Sequence, residues 1–425
     1  IGTMLFTSIY GIVDGLCVSN FVGKTAFAAV NLIMPLPMLL GTIGFMLGTG
    51  GSAIVGITLG EGDQKKADRY FTLFLLAALV SVSVLAVLGI VFLRPIAVLL
   101  GAKGELLDYA VRYGRILMVS LPTFALQNMF QSFFVTAEKP HLGFWFTVGA
   151  GCTNMVLDVL MVGVWGWGVE GAAIATFISQ LVGGVLPVFY FIDRSNTSRL
   201  HLCQTKVYGG VLRDACINGS SELMTNLSMS LVNILYNFQL LRLAGENGVA
   251  AYGVIMYAAF LFVAVFVGYA VGSAPIVSFH YGARNHAEVH NLYRKSLRLI
   301  AVVAVTLTLA SMFIIPCVAR VFVGYDAELL ALTSRAFRLY ALSFLIMGFN
   351  VYASSFFTAL GDGVTSALIS FLRTLAFQVI AILLLPMLLG IDGIWLAVTA
   401  AELAALAVSA AMLLTKDKVF HYRKA

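Results

Sequence analysis

At 425 residues the chain is long enough for several soluble domains, yet 60% hydrophobic and 11% charged residues with a mean hydropathy of +0.96 exclude them and describe a polytopic membrane protein. The net charge of +6 lies in short segments between apolar runs, where orientation in the bilayer accounts for it, so no nucleic-acid partner is expected. Cys17, Cys152, Cys203, Cys216 and Cys317 are odd in number and scattered, which excludes a disulfide framework and a zinc site and leaves reduced, apolar fillers.

Runs of about twenty apolar residues mark the spans. In chain order they are Ile1–Phe21, Phe27–Leu59, Tyr70–Leu93, Tyr109–Thr136, Leu142–Gly163 and Gly171–Ile192, then Val211–Leu241, Val249–Tyr281, Ser296–Phe313, Phe337–Leu360, Thr365–Leu389 and Ile391–Thr415. No charged n-region or cleavage site precedes the first, so it reads as a span rather than a signal peptide. Lys and Arg crowd alternate connections, among them Lys65, Lys66, Arg69, Lys206, Arg213, Arg294, Lys295, Arg298 and Lys416. The positive-inside rule then puts both termini in the cytoplasm. Pro35, Pro37 and Pro275 are expected to kink helices, while Gly44, Gly48 and Gly50-Gly51 suit close helix packing. His141, His201, His286, His290 and His421 fall in connections or tails, where solvated histidine is the expected role.

The halves repeat one another. Ala28-Ala29 and Ala250-Ala251, Ile33-Met34 and Ile255-Met256, Gly60 and Gly282, Thr136-Ala137 and Thr358-Ala359, and Gly168 and Gly390 all stand 222 residues apart. Six spans per half give both halves the same orientation, which predicts two parallel-repeat lobes about a central cleft. The organisation read from this is an N-terminal lobe over 1–192, a cytoplasmic linker over 193–210 with a flexible Ser-Asn-Thr-Ser core, a C-terminal lobe over 211–415 and a cytoplasmic tail over 416–425.

Polar residues at membrane depth are the candidate machinery, because they are costly to place there, an aspartate by about 2.5 to 3.5 kcal/mol or more. Asn154 and Asp158 are one turn apart on the fifth span, and Asp14 lies on the first. On the sixth, Thr176, Ser179 and Gln180 share a face. Carboxylates with neutral amide and hydroxyl oxygens suit a monovalent cation or a proton, and two carboxylates close together in low dielectric resist holding both charges. In the second half Glu222, Asn226, Ser230, Asn233 and Asn237 recur at spacings that confine them to an arc of roughly 80°, the pattern of a wetted wall. Arg373 and Glu402 are further buried charges, expected to pair with each other or with Glu222.

Several phrases resemble the multidrug and toxic compound extrusion transporters: Val13-Asp14-Gly15 with Val18-Ser-Asn-Phe-Val-Gly23, Gly60-Glu-Gly-Asp63 with Lys65-Lys66-Ala67, and Gly168-Val-Glu-Gly and Gly390-Ile-Asp-Gly at the openings of the sixth and twelfth spans. The resemblance covers essentially the whole chain. It implies an all-α fold of twelve transmembrane helices in two six-helix lobes, and transport rather than catalysis. The implied activity is export of small organic, cationic or amphipathic compounds in exchange for Na+ or H+ by alternating access, without a cofactor. The implied setting is a monomer in the inner (plasma) membrane. Prokaryotic members hold a cation inside the N-terminal lobe. Carried over by position this implies Asp14, Asn154, Asp158 and Thr176, the set that would take Na+, with Tyr113 as a neighbour. Some members use acids on the seventh and tenth helices for a second site; here Glu222 is present, but the tenth offers Asn350, Ser354 and Thr358 and no acid. Two rival readings are a lipid or lipid-linked sugar flippase of the same superfamily, which Arg373 would serve, and an intramembrane aspartyl protease. The protease needs Gly-x-Gly-Asp, whereas Gly361-Asp362 follows Ala359-Leu360.

Overall fold

The computed structural model describes residues 2–7, 29–30, 32–100, 102–193, 195–323 and 327–422, and every regular element among them is helical. This is what hydrocarbon demands of such runs, since a helix satisfies its backbone groups within one segment. The chain divides into two compact units, residues 2–219 and 220–425.

The first unit holds α1 (Pro35–Gly60), α2 (Gln64–Leu99), α3 (Glu105–Thr136), α4 (Pro140–Val164) and α5 (Gly168–Ile192). Helical turns at 29–30 and 32–33 enter α1 through a turn at Met34, so Pro35 opens a new helix where its missing N–H costs nothing. Next comes α6 (residues 209–244), whose first turns pack in this unit. The second unit continues with α7 (Asn247–Gly282), α8 (His286–Val323), α9 (Ala327–Ala341), α10 (Phe344–Ala359), α11 (Gly363–Leu389) and α12 (Ile391–Thr415). Gly245, at φ 61° and ψ −150°, breaks α6 from α7 in a conformation that glycine alone adopts cheaply.

Eight helices of the described residues are long and apolar enough to cross a membrane, and up to nine when α9 and α10, bent by 46°, count as one span. The expected tenth span, Phe337–Leu360, is therefore broken at Leu342-Ser343, with the Ser343 carbonyl accepting from Met347 N (2.9 Å) to restart the helix. By the same test α3 and α6 stand apart because they are more polar: α3 carries Gln127, Asn128 and Gln131 in its charge-free half, and α6 carries the Glu222 to Asn237 stripe.

The repeat is legible in backbone detail. Gly168 and Gly390 have φ of 61° and 58°, and Gly62 and Arg284 have φ of 87° and 55°. At the start of α2, Asp63 Oδ1 accepts from Lys66 N at 3.1 Å; at the repeat-related start of α8, Asn285 Oδ1 accepts from Glu288 N at 3.1 Å. Both are side-chain N-caps. Close approach uses the expected glycines: a Cβ on Gly44 would lie 2.3 Å from Ala125 O of α3, and one on Gly50 would lie 2.1 Å from Ala215 O.

The connection after α5 is not a loose linker. Asn196 Nδ2 donates to the Tyr190 and Asp193 carbonyls, both at 2.7 Å, and Ser198 donates to Leu200 O. His201 N donates to Asp68 Oδ1 (3.0 Å) and Cys203 N to Thr72 Oγ1 (3.1 Å), while Gln64 Nε2 donates to Arg199 O. Composition suggested flexibility, but short polar side chains that bond local backbone also make compact turns.

Candidate functional site

In the first unit, α4 carries Asn154 and Asp158 inward on one face, 2% and 0% exposed. The α-helix ends at Asp158, and a π-helical turn, Val159–Val164, follows at once. Widening the turn there changes which side chains point inward, as π-bulges often do beside functional residues. Val162 of that turn packs with Tyr113 of α3 and with Ala172 and Ala173 of α5 in one buried cluster. Tyr113 is 1% exposed and its hydroxyl lies 4.0 Å from Met34 Sδ. Asp14 lies outside the described residues.

Thr176 and Gln180 of α5 meet Ser120, Met34, Pro37 and Phe124 around a cavity of about 60 Å³. Ser179 is turned away from the role its spacing suggested, donating to Thr176 O at 2.8 Å. Gln180 is again followed directly by a π turn, Leu181–Val185. Within it Gly184 sits so close that a Cβ would be 2.4 Å from Thr123 O, which is how α5 reaches α3. The Asn154 Nδ2 and Gln180 Oε1 atoms are buried without a hydrogen-bond partner among the described residues. Buried polar groups are ordinarily satisfied, so each of these atoms is left able to take a polar partner, Gln180 at the cavity it lines with Thr176. The cavity residue Ser120 and the buried Asn128 were not singled out from sequence, although both are polar residues in an apolar helix.

In the second unit Arg373 pairs with Glu402. Nε of Arg373 donates to Glu402 Oε1 at 2.8 Å, and the two side chains are 12% and 0% exposed. Asn350 of α10 completes the site, its Nδ2 donating to Glu402 Oε2 (2.7 Å) and to Glu402 O (2.9 Å), while Ser409 donates to Asn350 Oδ1 at 2.9 Å. Arg373 too lies in a π turn, Leu372–Ala376. Asn350 and Ser409 escaped sequence reasoning as members of this network because nothing in their spacing names a partner on another helix. Glu222 is within electrostatic reach of Arg373. The remaining stripe is mixed. Asn226 is half-buried and donates to Glu222 O, Asn233 is exposed and accepts from Tyr252 OH at 2.7 Å, and Asn237 is exposed.

The chain matches the MatE family model over residues 1–160 and 223–384. It is 21% identical over 423 residues to the multidrug export protein MepA of Staphylococcus saprophyticus, covering 99% of this chain and 92% of that one. The MepA of Staphylococcus aureus strain MSSA476 is 22% identical over 421 residues, with the same coverage. Among solved structures, a MATE protein in complex with MaL6 aligns with a TM-score of 0.93 at 22% identity, over 100% of this chain and 95% of that one. An outward-facing conformation of a multidrug resistance MATE family transporter of the MOP superfamily aligns with a TM-score of 0.93 at 23% identity over the same shares. The fold is thus the all-α, twelve-helix fold of those transporters.

Proposed function

Because this chain belongs to the MatE family of multi-pass membrane transporters, we propose that it exports organic, cationic or amphipathic compounds in exchange for Na+ or H+ by alternating access, as a monomer of the plasma membrane with both termini cytoplasmic. The observation that carries the reading is the buried Asn154 and Asp158 pair on α4. A carboxylate buried at membrane depth is stabilised by a bound cation or proton, and the Asn154 amide one turn away on α4 supplies a neutral polar group on the same face. Asp14, Asn154, Asp158 and Thr176, with Tyr113 adjacent, form the proposed ion site. Loading it removes net charge from the interior of the N-terminal lobe. Substrate and ion are coupled when each favours a different conformation.

Glu222, Asn226, Asn233 and Asn237 are the proposed substrate-facing residues of the second lobe. Arg373 is paired with Glu402, and Glu222 adds a second acid within its electrostatic reach, so the acids outnumber the base here and favour cationic over anionic cargo. The flippase reading rested on Arg373, whose pairing with Glu402 supports the export reading instead.

The test is ion-driven uptake of an organic cation dye into proteoliposomes, with Na+ and H+ gradients imposed separately. Asp158→Asn is expected to abolish coupled transport and Asn154→Ala to weaken it about 10-fold or more, the effect of losing roughly 1.4 kcal/mol of ion binding. Undiminished, gradient-driven transport in Asp158→Asn would sink the ion-site assignment.

A further inference from the structure

The segment after α12 is seated rather than free. A short helical turn, Asp417–Phe420, ends at His421, whose φ of 52° turns the chain back and delivers Tyr422 into the interior at 0% exposure. Its ring packs on Tyr293 and Phe356, with centroids 5.4 and 5.1 Å away, and its hydroxyl donates to Leu413 O at 2.7 Å. The Tyr422 carbonyl lies 3.0 Å from His290 Nδ1; a carbonyl only accepts, so Nδ1 donates. Phe420 leans on Tyr281, and the His421 ring stands edge-on to His286 at 6.2 Å.

Much of this seat has a counterpart 222 residues earlier, in the strap after α5 and the helices it packs on. Leu200, also fully buried, stands for Tyr422; Phe71 and Phe134 stand for Tyr293 and Phe356; Gln64, Asp68 and Arg199 stand for His286, His290 and His421. Contacts correspond as well. Gln64 bonds Arg199 O where His286 meets His421, and Asp68 holds the strap at His201 N where His290 holds the tail at Tyr422 O. One element differs: in the first unit no group at these positions gains positive charge on mild acidification, whereas in the second three histidines occupy them.

We propose that residues 417–422 are a proton-released latch. Seated, they tie the end of α12 to the start of α8 and the end of α7. When His286 and His421 are both protonated, two cations face each other across 6.2 Å, and their repulsion unseats Tyr422. Histidine is the side chain whose charge ordinarily changes between about pH 5 and 8. Protonation of His290 leaves its Nδ1–H donation intact and does not oppose seating. Among the described residues, the other titratable or charged groups near it are His280, Tyr281 and Arg284 at the end of α7, Glu288, Tyr293, Arg294, Lys295 and Arg298 on α8, Lys416, Asp417 and Lys418 on the tail, and Asp362. Asp362 is spent on Lys416 at 2.9 Å, and Glu288 accepts from Asn291. Asp417 and Glu288 are accompanied on these elements by Lys418, Arg284 and Arg294.

Hydrogen exchange over residues 413–422 of the full chain in nanodiscs, corrected for the intrinsic pH dependence of exchange, tests the latch. Protection is expected to fall about 10-fold or more between about pH 7.5 and 5.5 in the native protein. His286→Gln, which installs the residue of the first-unit strap, keeps protection at both pH values, as does His421→Gln. Tyr422→Ala is unprotected at both. Equal protection of the native tail at the two pH values, or the same acid-induced loss in both glutamine variants, overturns the proposal.

Discussion

Replacing Glu402 by Gln tests whether the Arg373 network holds α10, α11 and α12 together. Both carboxylate oxygens accept, Oε1 from Arg373 Nε and Oε2 from Asn350 Nδ2. A glutamine presents one oxygen and one NH2, so one of the two donors must face another donor. Because Glu402 is 0% and Arg373 12% exposed, solvent relieves little of the mismatch. Leaving a buried charge without its partner costs about 3–5 kcal/mol, and a unit of this size loses roughly 2–4 °C in Tm per kcal/mol. A fall of about 6–20 °C is expected for Glu402→Gln and for Arg373→Met, read by thermal unfolding in detergent. The double variant Arg373→Met/Glu402→Leu removes both charges and is expected to recover more than half of the larger single loss, since apolar replacement of a whole buried pair is commonly neutral or better. Losses under about 1 kcal/mol in the singles, or a double variant as unstable as their sum, would refute the reasoning.

Gly44→Val is expected to destabilise the first unit by about 3 kcal/mol or more, seen as lost thermal stability, because its Cβ would lie 2.3 Å from a backbone oxygen of α3. Asp68→Ala removes the acceptor that holds His201 N; amide exchange at 201–203 should rise about 10-fold, the equivalent of 1.4 kcal/mol. At Asp362 burial works to raise the carboxyl, but Lys416 and Thr365 outweigh it and hold it below the ordinary carboxylate range. Its contribution is therefore full above about pH 4 and lost only as pH falls through the lowered value. Asp362→Asn should cost about 1 kcal/mol at pH 7, keeping the N-cap of α11, and Asp362→Ala about 2, with acid melts of both variants flatter below pH 4 than that of the native chain.

Much of the architecture was legible in the chain. The apolar runs fix helices of membrane length because lipid leaves the backbone no other partner, and the 222-residue register proved real down to matched N-caps at Asp63 and Asn285. Solvated histidines were expected at 286, 290 and 421; His421 is exposed, whereas His286 and His290 are partly buried, His290 donating to the Tyr422 carbonyl and His286 standing edge-on to His421. Composition alone could not show that a fully buried aromatic, Tyr422, would anchor the segment.

What the sequence determined by itself was which faces are polar, where the spans lie, and that two similar halves exist, since periodicity and hydropathy depend only on neighbours along the chain. Tertiary structure decided which polar groups meet: Arg373 with Glu402 and Asn350, Thr176 and Gln180 with Ser120 around a cavity. It also placed π turns directly after Asp158 and Gln180 and around Arg373. A π turn rotates every later side chain about the helix axis, and it is held by packing between helices rather than by local propensity. The partner of each buried charge is therefore set by contacts that no local pattern encodes.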